Sequence, residues 1–206
     1  MLTIALPKGR IADETLEIFV EIFGGKFEFD SRKLILDIAE FRFLSVRSQD
    51  VPTYVEHGAA DIGVVGLDVI TEKELDIVDL LDMNLGRCKV AIGIKNQDTL
   101  DWNKPNIKVA TKMVNITHKY FSKKAVGVEV IKLYGSIELA PLVGLADAIV
   151  DIVQTGTTMK ENGLKVAEDI MDSSAHLIAN KNSFYAKKRE ILSLYEKIRT
   201  VVESSG

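Results

Sequence analysis

The sequence predicts an α/β protein with two lobes of similar secondary structure. Short apolar runs typical of buried strands alternate with segments whose apolar residues recur every three or four positions, as on one face of a helix. The order strand, helix, strand, helix, strand occurs in each half of the chain. Gly58-Ala59-Ala60-Asp61 precedes one strand of the first half, and Gly144-Leu145-Ala146-Asp147 precedes one strand of the second. This alternation favours largely parallel sheets. Because helix, glycine and strand follow one another in many α/β proteins, a true duplication remains an open alternative.

The first lobe is assigned to residues 1–90 and 176–206, because the chain returns to it after the second lobe. Asp50 is a suitable N-cap for one of its helices, and Pro52 is tolerated in the first turn of that helix. Two β-rich runs, 75–81 and 88–94, cross from one lobe to the next. The predicted elements are strands 2–6, 33–39, 41–46 and 61–65, helices 11–23 and 50–58, a returning strand 175–179 and a long helix 183–202.

The second lobe, residues 91–175, repeats this order. Its predicted elements are strands 107–111, 129–133 and 146–153 and helices 115–125 and 136–143. Pro141 is acceptable only if the second of these helices starts near Glu138. Parallel strands present their carboxyl ends at one edge of a sheet, and ligands commonly bind there. We therefore expect a ligand cleft between the lobes.

Composition and charge exclude several classes of protein. The chain has 206 residues, of which 47% are hydrophobic, so a substantial core is available for each lobe. A net charge of −4 gives no basic surface for nucleic acid. Cys88 is the only cysteine, which fits a reducing compartment. The N-terminal apolar run precedes Lys8 and Arg10, the reverse of a secretory signal. We expect a cytoplasmic protein with no membrane or nucleic-acid partner.

A turn rich in hydroxyl groups follows the last strand of the second lobe. Gln154 and the sequence Thr155-Gly156-Thr157-Thr158 offer backbone N–H groups and three hydroxyls at the carboxyl end of a strand, a pattern suited to a phosphate. Asp151 lies inside the preceding apolar run, where a carboxylate is costly to bury without a partner or ligand. Together they predict a ribose 5-phosphate site, although a Thr-Gly turn alone is often only a turn.

Basic residues follow strands in both lobes and predict sites for further phosphates. Lys8-Gly9-Arg10 precedes a helix, Arg47 follows the strand 41–46, and Lys112 follows the strand 107–111. These side chains concentrate positive charge in a chain that is negative overall. The alternatives are an ordinary basic turn for the first group and a surface ion pair with Asp50 or Glu56 for Arg47.

Other catalytic motifs are absent from the sequence. The three histidines are far apart and lack the spacing of metal ligands, so no protein metal site is predicted. The chain contains no P-loop, no nucleophile elbow and no dinucleotide-binding fingerprint.

Four segments carry a specific resemblance to a known family. They are ALPKGRI at Ala5 to Ile11, VRSQDVP at Val46 to Pro52, ADIGVVG at Ala60 to Gly66, and Glu138 followed by GLADAIVDIVQTGTTM from Gly144. This pattern resembles the ATP phosphoribosyltransferases, which open histidine biosynthesis, and it extends through nearly the whole chain. The last segment is specific to that family. Because no regulatory domain follows the long helix, the chain resembles the short form of the enzyme.

The resemblance implies a fold, a reaction and partners. The fold would be two lobes resembling type II periplasmic binding proteins. The reaction would transfer the 5-phosphoribosyl group of 5-phosphoribosyl 1-pyrophosphate (PRPP) to N1 of ATP, with Mg²⁺ arriving on the substrate phosphates. The catalytic subunits would form a homodimer and assemble with a regulatory subunit resembling histidyl-tRNA synthetase.

The resemblance also suggests roles for the candidate residues. Gln154 and Thr155 to Thr158 would bind the 5-phosphate, and Asp151 the ribose hydroxyls. Glu138 would orient the substrate or its magnesium, unless it only favours the start of its helix. Lys8, Gly9, Arg10, Arg47 and Lys112 would bind pyrophosphate or the ATP triphosphate, with the division among them open. We count Asp151, Glu138 and Arg10 as the catalytic candidates.

Two other functions fit the same two-lobe pattern. One is a solute receptor or effector-sensing domain without catalysis, and the missing export signal argues against the periplasmic version of it. The other is a phosphoribosyltransferase that uses a free base instead of ATP. Stabilisation by an amino acid or sugar would favour the first, and activity with adenine would favour the second.

Overall fold

The computed structural model describes residues 1–29 and 33–204. The chain divides into two compact units, unit 1 with Met1–Gly86 and Ser174–Gly206 and unit 2 with Arg87–Ser173. Residues 30–32, 205 and 206 of the predicted first lobe lie outside the described residues. In the part of the chain that is described, no helix combines the length and the apolar composition that crossing a membrane requires.

Eleven strands and eight α-helices are found in the described residues, with one 3₁₀ turn at Ser48–Asp50. The strands are β1 (Leu2–Pro7), β2 (Ile35–Ile38), β3 (Phe41–Val46), β4 (Ile62–Gly66), β5 (Val78–Asp82), β6 (Cys88–Lys95), β7 (Ile107–Thr111), β8 (Val128–Lys132), β9 (Ala148–Val153), β10 (Leu164–Ser173) and β11 (Ala175–Ala179). The helices are α1 (Arg10–Phe23), α2 (Val51–Glu56), α3 (Leu67–Lys73), α4 (Val114–Lys123), α5 (Leu139–Leu142), α6 (Thr157–Glu161), α7 (Lys181–Ala186) and α8 (Lys188–Ser204).

Unit 1 contains a six-stranded mixed sheet in the order β2-β3-β1-β4-β11-β5. β1 is parallel to β3 and β4, and β11 runs antiparallel to β4 and β5. One face packs against α1 and α8, where the ring of Phe19 meets Phe41 and Phe43 edge-on at centroid distances of 5.2 and 5.0 Å. The other face packs against α2 and α3 through Val51, Val55 and Val69. Apolar groups on both faces explain why β4 is buried throughout.

Unit 2 contains a five-stranded mixed sheet in the order β10-β6-β9-β7-β8. β7 is parallel to β8 and β9, while β6 is antiparallel to β9 and β10. α4 covers one face through Ile116 and Phe121. α5 and α6 cover the other face through Ala140 and Met159. The carboxyl ends of β7, β8 and β9 therefore lie at one edge of this sheet.

The two sheets repeat one topology, as the sequence predicted. The order β3-β1-β4-β11-β5 in unit 1 corresponds to β8-β7-β9-β6-β10 in unit 2, with the same parallel and antiparallel pairings. Asp61 and Asp147 end the two similar tetrapeptides and have the same role. A carboxylate oxygen of Asp61 accepts a bond of 2.9 Å from the backbone N–H of Thr3, and Asp147 accepts one of 2.8 Å from Lys108.

Several predicted elements differ from the structure. The sequence did not predict β10, which pairs along its whole length with β6 despite two register shifts. The predicted long helix 183–202 is two helices, α7 and α8, separated at Lys187, whose ammonium bonds to Asp61 at 2.8 Å. The predicted helix 136–143 is only the single turn α5, and Asp50 precedes α2 without a side-chain capping bond. The strand β10 and the break at Lys187 both involve partners that are distant in the chain.

Candidate active site

The turn after β9 forms a small polar cavity. It has a volume of about 300 Å³, and its lining residues are Glu138, Asp151, Ile152, Val153, Gln154, Thr155, Gly156, Thr157, Thr158 and Met159. All the residues that the sequence assigned to the ribose 5-phosphate line this cavity, together with Glu138. The structure therefore brings the second-unit candidates into one place.

Local geometry explains the shape of the turn. Gly156 precedes α6 in the left-handed conformation at φ 77°, which favours glycine because a Cβ atom is strained there. The hydroxyls of Thr155 and Thr157 are 2.9 Å apart, and the side chains of Thr155, Thr157 and Thr158 are exposed. The turn thus presents a cluster of hydrogen-bonding groups to solvent at the carboxyl end of a strand.

Asp151 sits on β9, at the edge of the cavity. Its side chain is 17% exposed, its Oδ1 accepts a bond of 2.8 Å from the N–H of Ile152, and the ammonium of Lys112 is 3.3 Å from the same oxygen. The ion pair partly offsets the cost of burying this carboxylate. Lys112 was predicted to bind phosphates of the second substrate, and the structure places it beside Asp151.

Thr111 supports Lys112, and sequence reasoning did not identify it. Its hydroxyl is fully buried, donates to the carbonyl of Val150 at 2.6 Å and accepts from the N–H of Met113 at 2.9 Å. These bonds join the end of β7 to β9 and fix the chain on either side of Lys112. A buried threonine at the end of a strand gives no distinctive signal in the sequence.

Glu138 stands just before α5. It has helical backbone angles and its side chain makes no capping bond. Its side chain lines the cavity, and its position at the start of α5 is also the one where a negative charge favours a helix.

A second group of candidates lies in unit 1, at the carboxyl ends of β1 and β3. Pro7 pairs with Val46, and the N–H of Lys8 donates to the carbonyl of Val46 at 3.0 Å, so the two strands end together. This pairing brings the turn at Lys8, Gly9 and Arg10 next to Arg47. All four residues are exposed. Gly9 has a φ of 93° before α1, a conformation that favours glycine.

The cations of this group have exposed side chains. Arg10 lies 3.5 Å from Glu14, one turn further along α1, a distance typical of a weak exposed pair. The backbone carbonyl of Arg47 accepts the N–H groups of Asp50 and Val51, which fixes the backbone while the side chain stays exposed. Exposed cations on a fixed backbone suit an anionic ligand.

Metal binding by the protein alone is not indicated. Within residues 1–29 and 33–204, no group of three or more histidine, cysteine, aspartate or glutamate side chains is placed to hold a metal ion. Asp151 and Glu138 nevertheless give the cavity two carboxylates, the hard oxygen donors that Mg²⁺ prefers.

The aspartates that precede β4 and β9 have perturbed acidities with a structural cause. Burial raises the pKa of Asp61, but hydrogen bonds from Lys187, Thr3 and Ser183 outweigh it and lower the pKa overall. The pKa of Asp147 is lowered in the same way, because bonds from Lys104 and Lys108 outweigh burial. Both carboxylates are structural groups outside the polar cavity.

Comparison with known proteins identifies the family. The family model described as ATP phosphoribosyltransferase matches residues 47–200. A relative from Sulfurovum sp. (strain NBC37-1) named ATP phosphoribosyltransferase is 82% identical over 206 residues, which is 100% of both chains. A chain of the ATP phosphoribosyl transferase (HisG:HisZ) complex from Thermotoga maritima matches with a TM-score of 0.86 and 34% identity, covering 99% of this chain and 100% of that one.

The same fold also occurs in proteins with little sequence similarity to this chain. The substrate-binding protein of an amino acid ABC transporter matches with a TM-score of 0.62 at only 11% identity, covering 98% of this chain and 91% of that one. This likeness confirms the predicted fold of type II periplasmic binding proteins and says nothing about ligands. The family match excludes the two rival functions. The chain belongs to the ATP phosphoribosyltransferase family, and it transfers the 5-phosphoribosyl group from PRPP to N1 of ATP with release of pyrophosphate, the first step of histidine biosynthesis.

Proposed function

We propose that the cavity after β9 binds the phosphoribosyl part of PRPP. The observation that supports this proposal is that Asp151, Gln154 and the turn from Thr155 to Thr158 line one cavity of about 300 Å³. Threonine hydroxyls and backbone N–H groups donate to the 5-phosphate, and Gln154 adds a side-chain amide. The Asp151 carboxylate accepts hydrogen bonds from the ribose hydroxyls.

The reaction requires orientation and electrostatic stabilisation more than a strong nucleophile. N1 of the adenine forms a bond to the anomeric carbon while the bond from that carbon to pyrophosphate breaks. Positive charge builds on the ribose and negative charge on the leaving group. Asp151 is placed to stabilise the first, and cations are needed for the second. Lys112, 3.3 Å from Asp151, holds this carboxylate in position and retains donors for a substrate phosphate.

The exposed cations of unit 1 serve the remaining phosphates. Lys8, Arg10 and Arg47, with the backbone of Gly9, bind pyrophosphate or the triphosphate of ATP, and Arg10 stabilises the charge of the leaving group. The pairing of Pro7 with Val46 supports a shared role, because it places these cations at one edge. In this assignment the lobe of residues 1–90 and 176–206 carries the cations, and the lobe of residues 91–175 carries the phosphoribosyl site.

Magnesium enters on the substrate phosphates. Asp151 and Glu138 are the two carboxylates of the cavity that would contact it, and one or two carboxylates plus phosphates are the usual surroundings of Mg²⁺. When bound, the ion neutralises part of the charge on the leaving pyrophosphate.

The protein is further proposed to work in the cytoplasm as a homodimer, assembled with a regulatory subunit resembling histidyl-tRNA synthetase. Two observations support this. A HisG:HisZ complex contains a chain with a TM-score of 0.86 to this one. Cys88 is the single cysteine and is not in a disulfide, which fits a reducing compartment.

Substitution of Asp151 tests the assignment. In the full chain assayed with both substrates, Mg²⁺ and the regulatory subunit, Asp151→Asn should lower kcat/KM for pyrophosphate release by about a hundredfold or more, since one preorganised electrostatic group contributes that much. The matched control is Asp172→Asn, which changes an exposed aspartate on β10 of the same unit. Unchanged kcat/KM in Asp151→Asn, with the fold intact by circular dichroism, would refute the role of Asp151.

A further inference from the structure

Gly93 of unit 2 has neighbouring side chains so close that a Cβ atom would crowd them. Gly93 lies in the middle of β6 and pairs with Ile149 of β9 and Val166 of β10. A Cβ atom at this position would lie 2.9 Å from Cγ1 of Ile149, 3.0 Å from Sδ of Met159 and 3.1 Å from Cε of Met159. These distances are well inside the optimal separation of about 3.5 to 4.0 Å between carbon atoms. A larger residue here would therefore displace the side chains of Ile149 and Met159.

Met159 is the residue that occupies this space. It is 5% exposed and packs in the cluster that contains Ile149 and Leu164. α6, the helix that carries it, has five residues, and Met159 is its only buried member. A helix of this length is not stable by itself, so packing must hold it in place. The end of the Met159 side chain lies in the space that a Cβ atom at Gly93 of β6 would occupy.

The same helix begins within the turn assigned to the 5-phosphate. Thr157 and Thr158 are the first two residues of α6, and Met159 follows them directly. Asp151, by contrast, is fixed on β9, two residues after Ile149 and paired with Ala91 of β6. A ribose 5-phosphate that contacts both Asp151 and the turn thus needs a constant distance between a strand and a short helix.

We infer that Gly93 and Met159 are positioning residues for the reaction. Their contact sets the height of α6 above the sheet, and so the distance from the threonine hydroxyls to Asp151. Gly93 is not among the residues that line the cavity, and Met159, which does line it, acts here through the position of α6. This inference rests on the proposed assignment of the turn to the 5-phosphate. It adds that the affinity for the phosphoribosyl group depends on a glycine in a different strand.

The test compares binding of two ligands by calorimetry on the full chain. Ribose 5-phosphate probes only Asp151 and the turn, and ATP probes the cations. Gly93→Ala should raise the Kd of ribose 5-phosphate about tenfold or more, because small displacements of binding groups have large effects, and leave the Kd of ATP within about twofold. Met159→Val removes the contact without adding a clash, and should raise the Kd of ribose 5-phosphate by about three- to fivefold, an effect of about 0.6 to 1 kcal/mol.

The double variant Gly93→Ala/Met159→Val separates positioning from general damage. Valine lacks the two Met159 atoms that the new methyl group would meet, which leaves only Cγ1 of Ile149 at 2.9 Å. The pair should therefore bind ribose 5-phosphate more tightly than Gly93→Ala alone, a strong coupling between the two sites. Ile92→Val is the matched control, because Ile92 neighbours Gly93 but packs in the cluster on the opposite face. It should lower the stability slightly and leave both Kd values unchanged.

Each outcome decides between explanations. If Met159→Val leaves the Kd of ribose 5-phosphate unchanged, or if the double variant binds no better than Gly93→Ala, the inference is wrong. If Gly93→Ala does not fold, Met159→Val still gives this decision. Equal weakening of ATP and ribose 5-phosphate would indicate only structural damage. If Asp151→Asn also has no effect on the Kd of ribose 5-phosphate, the assignment of the whole cavity fails, which differs from failure of the positioning role alone.

Discussion

The two units share one sheet topology but differ in the helix whose side chains lie against a glycine of the sheet. In unit 1, Gly63 of β4 lies under α2, and a Cβ atom there would be 2.8 Å from Val55 and 2.9 Å from Val51. In unit 2 the corresponding position is Ile149, since Gly63 pairs with Ala5 as Ile149 pairs with Ala110. The glycine is instead one strand away, at Gly93 under α6. The glycine that contacts helix side chains therefore faces α2 in unit 1 and α6 in unit 2.

The ends of the corresponding strands differ as well. β4 is buried over its whole length and passes directly into α3, with Gly66 as the N-cap. β9 becomes partly exposed from Asp151 onwards and ends in the turn before α6. The position equivalent to Asp151 in unit 1 is Val65, which is fully buried. Of these two corresponding strands, β4 is buried to its end and β9 exposes polar groups at its end, which supports the candidate site in unit 2.

The largest effect is expected on the KM for PRPP when hydroxyl groups are removed from the turn after β9. Thr155→Val/Thr157→Val removes two hydroxyl donors to a charged phosphate, each worth about 1.5 to 3 kcal/mol, so the KM for PRPP should rise by at least about a hundredfold. Steady-state release of pyrophosphate measures it. The control is Thr71→Val in α3, the corresponding helix of unit 1, which should leave this KM unchanged. Equal KM values for the two variants would contradict the assignment of the turn.

The second prediction concerns the two aspartates that the units have in common. Asp61→Asn should lower the free energy of unfolding by about 2 to 3 kcal/mol, because the nearly buried carboxylate accepts bonds from Thr3, Ser183 and Lys187. Asp147→Asn should cost about 1 kcal/mol or less, since its side chain is 37% exposed beside Lys104 and solvent screens the pair. Urea denaturation measures both, and a larger loss for Asp147→Asn would be inconsistent with their burial.

The third prediction concerns Gly63, the glycine of unit 1. Gly63→Ala places a methyl group against Val51 and Val55, and overpacking of this kind costs about 1 to 3 kcal/mol of stability. The Kd of ribose 5-phosphate should not change, whereas in Gly93→Ala it should rise. Thermal unfolding and calorimetry on the same two samples make the comparison. Weakened binding of ribose 5-phosphate in both variants would remove the distinction between the two units.

The sequence was sufficient for those features that depend on local pattern. The alternation of elements predicted both sheets, and the polar turn after an apolar strand predicted the cavity around Asp151, because strand ends are determined by nearby residues. β10 was missed for a physical reason. Its charged residues, such as Lys165 and Asp169, sit on an edge strand whose partner β6 is distant in sequence, and a strand with one open edge tolerates charge.

Long-range packing explains the remaining failures. Gly93 within an apolar run signals nothing by itself, because the need for glycine arises from Met159, which is distant in the chain. The break between α7 and α8 likewise coincides with an ion pair between Lys187 and Asp61, which lies in the other half of the sequence. Both features involve contacts between elements that are too far apart in the chain for a local sequence pattern to reveal.

The smallest expected effect is a difference between the two units in their response to acid. The folded-state pKa of Asp61 lies below its unfolded value, so its contribution to stability is complete above the unfolded pKa of about 3.9 and is lost as the pH falls through the lowered folded value. The difference in unfolding free energy between wild type and Asp61→Asn should therefore be constant from pH 7 to about pH 5, and should shrink below about pH 4. Asp147 follows the same sign with a smaller amplitude, since its carboxylate is more exposed. Urea denaturation at several pH values between 7 and 3 measures both differences. A difference for Asp61→Asn that stays constant down to pH 3 would mean that its hydrogen bonds do not depend on the ionised carboxylate.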